Sequence, residues 1–213
     1  QQHQYKIDYT HENIKNKPGM GGVIVTFKLQ KNEAFRTIPT IIKNACLVHD
    51  IGNPPFGHFG ERVIASYFKN LFKDGSWDTR LSKEEQEDFT LFDGNSQGLR
   101  VLTKLQTLNK EGGLNLTFGT LGAFLKYPNP GKKDKSKIAT STRGVFQSEI
   151  EYFKKIVENC GLEKEGVYFR HPLSFLMEAA DTICYRIMDV EDGFNKDWYG
   201  FSEINNYLND VII

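Results

Sequence analysis

Residues 46 to 61 read CLVHDIGNPPFGHFGE and place two of the chain's five histidines beside a Gly-Asn-Pro-Pro interruption. Gly52, Pro54 and Pro55 cannot continue a helix, so this stretch predicts a turn between two helices. Two interpretations compete for the polar side chains gathered there. The stretch is either a buried turn with polar supports, or a metal and proton-transfer site.

Helical spacing extends to both sides of this turn. From Ile38 the apolar positions recur at intervals of three and four, with Pro39 tolerated in the first turn, and this helix is predicted to end at His49 and Asp50. A second helix is predicted from Pro55 to about residue 74, and further helical segments lie at residues 96–108, 117–127, 147–160 and 172–194. We therefore predict an all-α, mainly helical fold. The alternating stretch GGVIVTFKL, within residues 1–33, is typical of a strand or hairpin arm.

Composition excludes several classes of protein. The 213 residues suit one domain or two small ones, and 27 basic residues balance 27 acidic ones, so no overall charge attracts nucleic acid or membrane. The three cysteines, Cys46, Cys160 and Cys184, lack CxxC spacing, which favours a reducing compartment. No apolar run approaches the ~20 residues of a membrane span, and the polar start is not a signal peptide. These features favour a cytoplasmic protein.

A metal site is predicted around the first histidine of the opening stretch. His49 and Asp50 stand where a helix ends, and an imidazole with a carboxylate suits Zn, Mn, Fe or Mg. Asp181 lies in the apolar segment FLMEAADTICYRIM, where an unpaired buried carboxylate would be costly. A metal ion is one partner that would satisfy it. Tyr185 and Asp189 follow at four-residue steps and share one helix face with Asp181.

A proton-transfer pair is predicted at the start of the second helix. His58 and Glu61 are three residues apart, and a carboxylate beside a histidine is the usual arrangement for proton transfer at neutral pH. The alternative is an ordinary exposed helix pair. In the same way, the acidic residues of the last predicted helix are also compatible with the solvated stripe of an amphipathic helix.

The text HDIGNPPFGHFGE resembles the signature of the deoxyguanosinetriphosphate triphosphohydrolase (dGTPase) family, a branch of the HD-domain phosphohydrolases. LFDGNSQGLRVLTKLQT at residues 91–107 resembles the family's Gly-Asn-x-Gln-x-x-Arg segment. LTFGTLGAFLKYP and RHPLSFLMEAADTICYRIMDVEDG resemble its last two conserved blocks. The resemblance covers about residues 40–195. It implies a single HD-type helical bundle over residues 1–213, and hydrolysis of dGTP or other dNTPs to a deoxynucleoside and tripolyphosphate.

The resemblance also assigns roles to individual residues. It implies a divalent metal (Mn, Mg, Fe or Zn) on His49, Asp50 and Asp181, joined in relatives by a histidine from an upstream Arg-x-Arg-Leu-Thr-His-Ser segment. This sequence has no such segment, so we expect it to be a fragment of a longer chain that extends past both ends. His58 and Glu61 match the acid–base positions. The positions that contact substrate are Asn95, Lys126 and Tyr127 for the phosphates, Tyr185 for the deoxyribose and Asp189 for its 3′-hydroxyl, with Arg143 beside the basic loop at 128–143 as a further candidate.

Three other functions stay open at this stage. The chain is also compatible with an HD phosphohydrolase for another nucleotide, or with a catalytically silent dNTP-binding regulatory subunit, which the missing histidine segment favours. Because some relatives respond to single-stranded DNA, the lysines of the basic loop are candidates for binding its phosphates, although a solvated loop is the stronger interpretation. Relatives assemble as oligomers, and the resemblance therefore implies a homo-oligomer.

Overall fold

A computed structural model describes residues 31–73, 75, 80–106, 113–131 and 142–211. Within these residues the chain forms eight α-helices, a π-helical turn, a 3-10 turn and one two-stranded sheet, so the predicted mainly helical fold is confirmed. The helices are α1 Lys31–Val48, α2 His58–Lys73, α3 Lys83–Thr90, α4 Gly94–Arg100, α5 Phe118–Phe124, α6 Ile150–Cys160, α7 Pro172–Asn195 and α8 Phe201–Val211. The π-helical turn Val101–Leu105 extends α4, and the 3-10 turn Gln147–Glu149 leads into α6.

The predicted helices correspond to observed ones, with two additions. The helix predicted to end at His49 and Asp50 is α1, and the helix predicted after Pro55 is α2. Helices α3 and α8 were not predicted from the sequence. The stretch GGVIVTFKL lies outside the described residues.

The main hydrophobic core forms around α5 and α6. All five residues from Thr120 to Phe124 are buried, because the short helix α5 is enclosed on every side. Burying a Leu or Phe side chain stabilises a fold by about 1.5 to 3 kcal/mol, so this core is the main source of stability in the described chain. Its buried members are Leu99, Leu102, Leu121, Phe124, Leu125, Val145, Phe153, Ile156, Val157, Cys160 and Leu162.

A second, smaller core joins α1 to α7 through α5. Ala45 of α1, Ala123 of α5 and the α7 residues Leu173 and Met177 are buried against one another. Small residues at 45 and 123 allow the helices to approach closely. This packing holds the end of α1 beside the middle of α7, and it thereby brings His49 and Asp181 together.

A tight hairpin connects α6 to α7. Strands β1 (Glu163–Lys164) and β2 (Val167–Tyr168) pair antiparallel, with Glu163 opposite Tyr168. Glu165 and Gly166 have φ of 54° and 76°, the positive values that a two-residue type I′ turn requires. The hairpin leads directly into the start of α7.

Helix α7 begins at a buried histidine. His171 is the N-cap residue, and its Nδ1 accepts a hydrogen bond from the backbone N–H of Leu173 at 3.1 Å. Burial lowers the pKa of His171 from 6.5 to about 4. The ring is therefore neutral near pH 7, as an acceptor at Nδ1 requires.

The C-terminal half of α7 is much more exposed than its N-terminal half. Leu173, Ser174 and Met177 are buried, whereas the side chains of Ile183, Ile187 and Met188 are exposed. None of the described helices combines the length and the apolar character needed to cross a membrane.

Candidate active site

The turn between α1 and α2 packs closely on the N-terminal end of α4. A Cβ atom on Gly52 would lie 2.1 Å from the Gly98 nitrogen and 2.2 Å from the Gly94 oxygen, so only glycine fits there. Gly60 likewise lies against Pro55, whose oxygen would be 2.2 Å from an added Cβ. The turn therefore has a packed inner side, while the side chain of His49 is 29% exposed and that of His58 is 86% exposed.

The turn also contains a strained residue. Phe56 has φ of 66°, a left-handed conformation that bulky side chains rarely adopt, and its side chain is 86% exposed. Gly57 follows with φ of 52°. These two residues reverse the chain so that α2 begins at His58.

His49 is the centre of a converging set of polar atoms. Its Nε2 lies 3.4 Å from Asp50 Oδ2 and 3.3 Å from Asp181 Oδ1. Its Nδ1 lies 2.7 Å from the Cys46 carbonyl oxygen. Because a carbonyl oxygen only accepts, Nδ1 carries the hydrogen and Nε2 of the neutral ring offers a lone pair. Three lone-pair atoms therefore face one another, and they require either a proton on Nε2 or a cation between them.

The chemistry of these three atoms fits a divalent ion. With metal–ligand distances of about 2.0 to 2.2 Å, neighbouring ligand atoms in tetrahedral or octahedral sites lie about 3.0 to 3.5 Å apart, as the His49 pairs do. One nitrogen and two carboxylate oxygens suit Zn, Mn, Fe or Mg. Across the described ranges, no group of three or more His, Cys, Asp or Glu side chains is arranged so that it could hold a metal ion. His49 Nε2 meets each of the two carboxylates separately, so the three residues form only a partial ligand set.

His58 and Glu61 form a second polar pair at the start of α2. His58 Nδ1 lies 2.8 Å from Glu61 Oε2, and the His58 side chain is 86% exposed while that of Glu61 is 13% exposed. The other Glu61 oxygen, Oε1, accepts a hydrogen bond of 2.7 Å from the backbone N–H of Gly94. Glu61 is therefore fixed by α4, and it in turn fixes the orientation of the exposed imidazole.

Asn95 lies in the first turn of α4. The α4 N-cap residue is Asp93, whose Oδ1 accepts hydrogen bonds from the Asn95 backbone N–H at 2.9 Å and from the Asn95 side-chain amide at 3.0 Å. Thr142 donates to the other Asp93 oxygen at 2.8 Å. Asp93 thus orients the Asn95 side chain close to the Glu61–Gly94 contact.

Lys126 and Tyr127 follow α5, and Lys126 is tied to α7. Lys126 Nζ lies 3.0 Å from Glu178 Oε1 and 5.6 Å from the centre of the Tyr127 ring. Burial disfavours the ammonium form, but the hydrogen bond and charge of Glu178 outweigh this effect and raise the pKa of Lys126. Lys126 is therefore a firmly held cation.

Tyr185 and Asp189 lie beyond Asp181 on α7. Both side chains are exposed, and their four-residue spacing places them on one helix face with Asp181. The Tyr199 hydroxyl donates to the backbone oxygens of Asp189 at 3.2 Å and Val190 at 2.7 Å. The segment after α7 thus folds back onto the turn of helix that carries Asp189.

Arg143 occupies a different kind of environment from the other candidates. Its side chain is only 2% exposed, and its guanidinium lies 3.2 Å from Glu87 Oε2 and 3.2 Å from Asp88 Oδ1. Its Nε also donates to the Val145 oxygen at 3.4 Å. Because the donors of Arg143 are directed to partners within the fold, we assign it to the packing of α3 against the 142–146 segment and not to substrate.

Several contacts of the site were missed by sequence reasoning. The Glu61 contact with Gly94 joins α2 to α4, and the Arg170 contact with Glu178, at 2.6 Å, joins the segment before α7 to the second turn of that helix. For Glu178 a signal was present, because it lies one helical turn before Asp181 in an apolar segment. Arg170 carried no comparable signal.

Comparisons with known proteins identify the relatives of this chain. It is 42% identical over 171 residues to a deoxyguanosinetriphosphate triphosphohydrolase-like protein of Pseudomonas aeruginosa (strain LESB58), which covers 79% of this chain and 38% of that protein. A protein of the same name from Synechocystis sp. is 38% identical over 206 residues, covering 89% and 45% respectively. A deoxyguanosinetriphosphate triphosphohydrolase of Enterobacter sp. (strain 638) is 34% identical over 200 residues, covering 81% and 38%.

No family model matches the chain. The chain spans less than half the length of these curated relatives, although most of its own residues are matched. The agreement of several relatives in name and extent confirms the resemblance carried by the residues at 49–61. The chain belongs to the deoxyguanosinetriphosphate triphosphohydrolase family.

Proposed function

We propose that this chain contains the catalytic centre of a metal-dependent hydrolase that cleaves dGTP, or dNTPs more broadly, to the deoxynucleoside and tripolyphosphate. The observation that carries the proposal is the meeting of His49 Nε2 with the carboxylates of Asp50 and Asp181, within 3.4 Å. These three residues also match the metal-ligand positions of the family. The printed names of the relatives support the substrate class.

The proposed reaction needs positive charge beside the α-phosphate and a proton for the 5′-oxygen that leaves. Water attacks the α-phosphorus while the 5′-oxygen of the deoxyribose departs. A divalent ion held by His49, Asp50 and Asp181 would polarise the phosphate and position the attacking water. The tautomer set by the Cys46 carbonyl directs the lone pair of His49 Nε2 toward such an ion.

His58 is the proposed acid–base residue. Glu61 holds its Nδ1 at 2.8 Å, which leaves Nε2 of the exposed ring free to exchange a proton with substrate or water. The Gly94 N–H contact keeps the carboxylate in place during this exchange.

The remaining candidates are proposed to bind the nucleotide. Lys126, Tyr127 and Asn95 supply a cation, a hydroxyl and an amide for the triphosphate. Tyr185 is proposed to pack on the deoxyribose, where a ribose 2′-hydroxyl would clash, and Asp189 to accept a hydrogen bond from the 3′-hydroxyl. A preference for guanine, a homo-oligomeric assembly and a cytoplasmic location are further predictions from the family. The lysines of the basic loop, Lys132, Lys133, Lys135 and Lys137, lie outside the described residues.

A catalytically silent dNTP-binding subunit is the second candidate. It is favoured by the partial ligand set around His49, since the described residues lack a complete cluster. The His58–Glu61 pair counts against it, because a histidine oriented by a carboxylate is the usual arrangement for proton transfer.

The test is incubation of the purified protein with dGTP and Mn²⁺, with products resolved by chromatography. We expect deoxyguanosine and tripolyphosphate, and we expect His58→Ala to lower kcat by about 10²- to 10⁴-fold. Ser66→Ala, at an exposed position on the same helix, is the matched control and should keep full activity. Orthophosphate as the product would indicate another phosphohydrolase. Retained dGTP binding without turnover would identify a silent subunit.

A further inference from the structure

Three charged residues, Arg170, Glu178 and Lys126, form a salt-bridge triad that connects α7 to the segment after α5. Glu178 of α7 contacts Arg170 Nη2 through Oε2 at 2.6 Å and Lys126 Nζ through Oε1 at 3.0 Å. Each carboxylate oxygen therefore has its own cation. One carboxylate between two cations leaves a net charge of +1 on the three residues.

Arg170 is the buried member of this triad. Its side chain is only 5% exposed and its guanidinium stacks on the Phe175 ring at 4.2 Å. Arg170 Nε is buried without a hydrogen-bond partner among the described residues, so the guanidinium depends strongly on Glu178. Because the guanidinium is buried and packed on the Phe175 ring, its position is set by the surrounding fold. Arg170 thus sets the position of the Glu178 carboxylate.

Lys126 is the partly exposed member of the triad, and its ammonium can contact a ligand. An ammonium group has three N–H donors, and the contact with Glu178 uses one of them. At 27% exposure the side chain still reaches solvent, so its other donors are available to a ligand. A lysine stem has four rotatable bonds, and without Glu178 the contacts described for Nζ reduce to the Tyr127 ring, 5.6 Å away.

Helix α7 connects this triad to the His49 centre. Glu178 precedes Asp181 by three residues, so the two carboxylates are neighbours on the surface of α7. Glu178 therefore fixes the distance between the Lys126 ammonium and the atoms around His49 Nε2. A phosphate chain that reaches from that centre would meet the ammonium at a set distance.

We propose that Arg170 and Glu178 are positioning residues, which hold Lys126 beside the His49 centre so that its ammonium binds the polyphosphate part of the substrate. This inference rests on the proposed function. It assigns to Glu178 and Arg170 no contact with substrate. Their effect is to give Lys126 one position in place of many.

Charge and position make opposite predictions for Glu178→Gln. Removing the carboxylate makes the site more positive, so charge alone would strengthen the binding of a polyanion. Loss of position spreads Lys126 over many conformations and weakens binding. Weaker binding in Glu178→Gln would therefore indicate a positioning residue. Tighter binding would indicate that Glu178 only joins two segments of the fold.

The experiment is calorimetric titration of the purified protein with inorganic tripolyphosphate in the presence of Mn²⁺. We expect Glu178→Gln to weaken binding by about tenfold, and Lys126→Ala to weaken it at least as much. The double variant should bind no more weakly than Lys126→Ala alone, because Glu178 acts only through Lys126. Glu191→Gln makes the same chemical change at an exposed position of α7 and should bind as the unmodified protein does.

A second variant covers the case in which Glu178→Gln fails to fold. Glu178→Asp keeps the charge but shortens the side chain by one methylene, so it should fold, reach Lys126 less well and bind tripolyphosphate less tightly than the unmodified protein. Unchanged or tighter binding in whichever of these variants is folded would overturn the inference while leaving the proposed function intact. Absence of tripolyphosphate binding in the unmodified protein would overturn both.

Discussion

Two charged clusters in this protein differ in how deeply their central cationic or imidazole group is buried. Around Arg143, a guanidinium that is 2% exposed faces Glu87 and Asp88, each at 3.2 Å. Around His49, Nε2 lies 3.4 Å from an Asp50 oxygen and 3.3 Å from an Asp181 oxygen, and the Asp50 side chain is 65% exposed. In the first cluster a buried cation is directed at two carboxylates of the fold. In the second, a partly exposed imidazole nitrogen meets two carboxylates that are open to solvent.

The difference separates residues that stabilise the fold from residues that are available for chemistry. A buried ion pair gains its attraction at the cost of desolvation, and breaking it leaves an uncompensated charge inside the protein. A half-exposed set of acceptors gives little stability and retains its capacity to bind an ion. Substitutions should therefore change stability in the first cluster and ligand binding in the second.

The largest expected effect is the loss of stability in Arg143→Met. The variant keeps a side chain of similar length but leaves Asp88, which is 12% exposed, without its guanidinium. Burial already raises the pKa of Asp88 to about 6, despite the Gln147 N–H and Arg143. We expect the free energy of unfolding to fall by roughly 3 to 5 kcal/mol, measured by urea denaturation. Arg36→Met, at an exposed position of α1, is the control and should stay within about 0.5 kcal/mol.

The opposite result would reassign Arg143. If Arg143→Met kept its stability but lost affinity for tripolyphosphate, the result would support the sequence-based prediction that Arg143 contacts phosphate.

The next effect is a pH dependence that arises from His171. Its folded-state pKa is depressed from 6.5 to about 4, so the unfolded chain binds a proton before the folded chain does. The stability contributed by the neutral ring is therefore complete above pH 6.5 and is lost as the pH falls toward 4. The loss amounts to about 3 kcal/mol.

His171→Asn isolates this contribution. Asparagine is a good N-cap residue and does not titrate, so the variant should keep the cap of α7 and lose this part of the pH dependence. Urea unfolding at pH 7.5, 6, 5 and 4.5 measures both proteins. Parallel curves for the two proteins would show that His171 does not cause the acid loss.

His49→Ala should affect the open cluster without unfolding the protein. It removes the nitrogen that faces Asp50 and Asp181, and we expect Mn²⁺ affinity to fall by at least about 100-fold in calorimetric titration. The side chain is 29% exposed, so the free energy of unfolding of the metal-free protein should change by less than about 1 kcal/mol. His171→Asn serves again as the control and should bind Mn²⁺ normally. Equal Mn²⁺ affinity in His49→Ala would remove His49 from the metal site.

The sequence predicted the open cluster better than the closed one. The Gly-Asn-Pro-Pro text ends α1 at a place that local chemistry dictates. Asp181, which the sequence led us to expect as a buried carboxylate, is 36% exposed and lies 3.3 Å from His49 Nε2. For Arg143 the sequence showed no sign of its contacts with Glu87 and Asp88, because both partners lie on α3. The text of that helix, KEEQEDFT, has too few apolar residues to show a helical period, so neither the helix nor its pairing with Arg143 was visible.

Contacts between elements far apart in the sequence could not be predicted either. No local pattern indicates that Glu61 accepts a hydrogen bond from Gly94, since the contact depends on how α2 and α4 pack around Gly52. The same holds for the hairpin at 163–168, which was not predicted although Glu165 and Gly166 supply its turn. Helix ends are local properties of the chain, whereas partners across the fold are not.

The smallest expected effect tests whether Glu61 belongs to the open region or to the packing of the fold. In Glu61→Gln the amide oxygen can still accept from the Gly94 N–H, so the contact between α2 and α4 should be kept and stability should change by less than about 1 kcal/mol. The amide nitrogen is a donor only and cannot accept from His58 Nδ1–H, so the imidazole loses its orientation and its charge partner. We expect kcat for dGTP to fall by about 10- to 100-fold with KM little changed, measured by steady-state release of tripolyphosphate. A fall in stability with kcat preserved would place Glu61 with Arg143, as a residue that holds the fold together and leaves His58 to act alone.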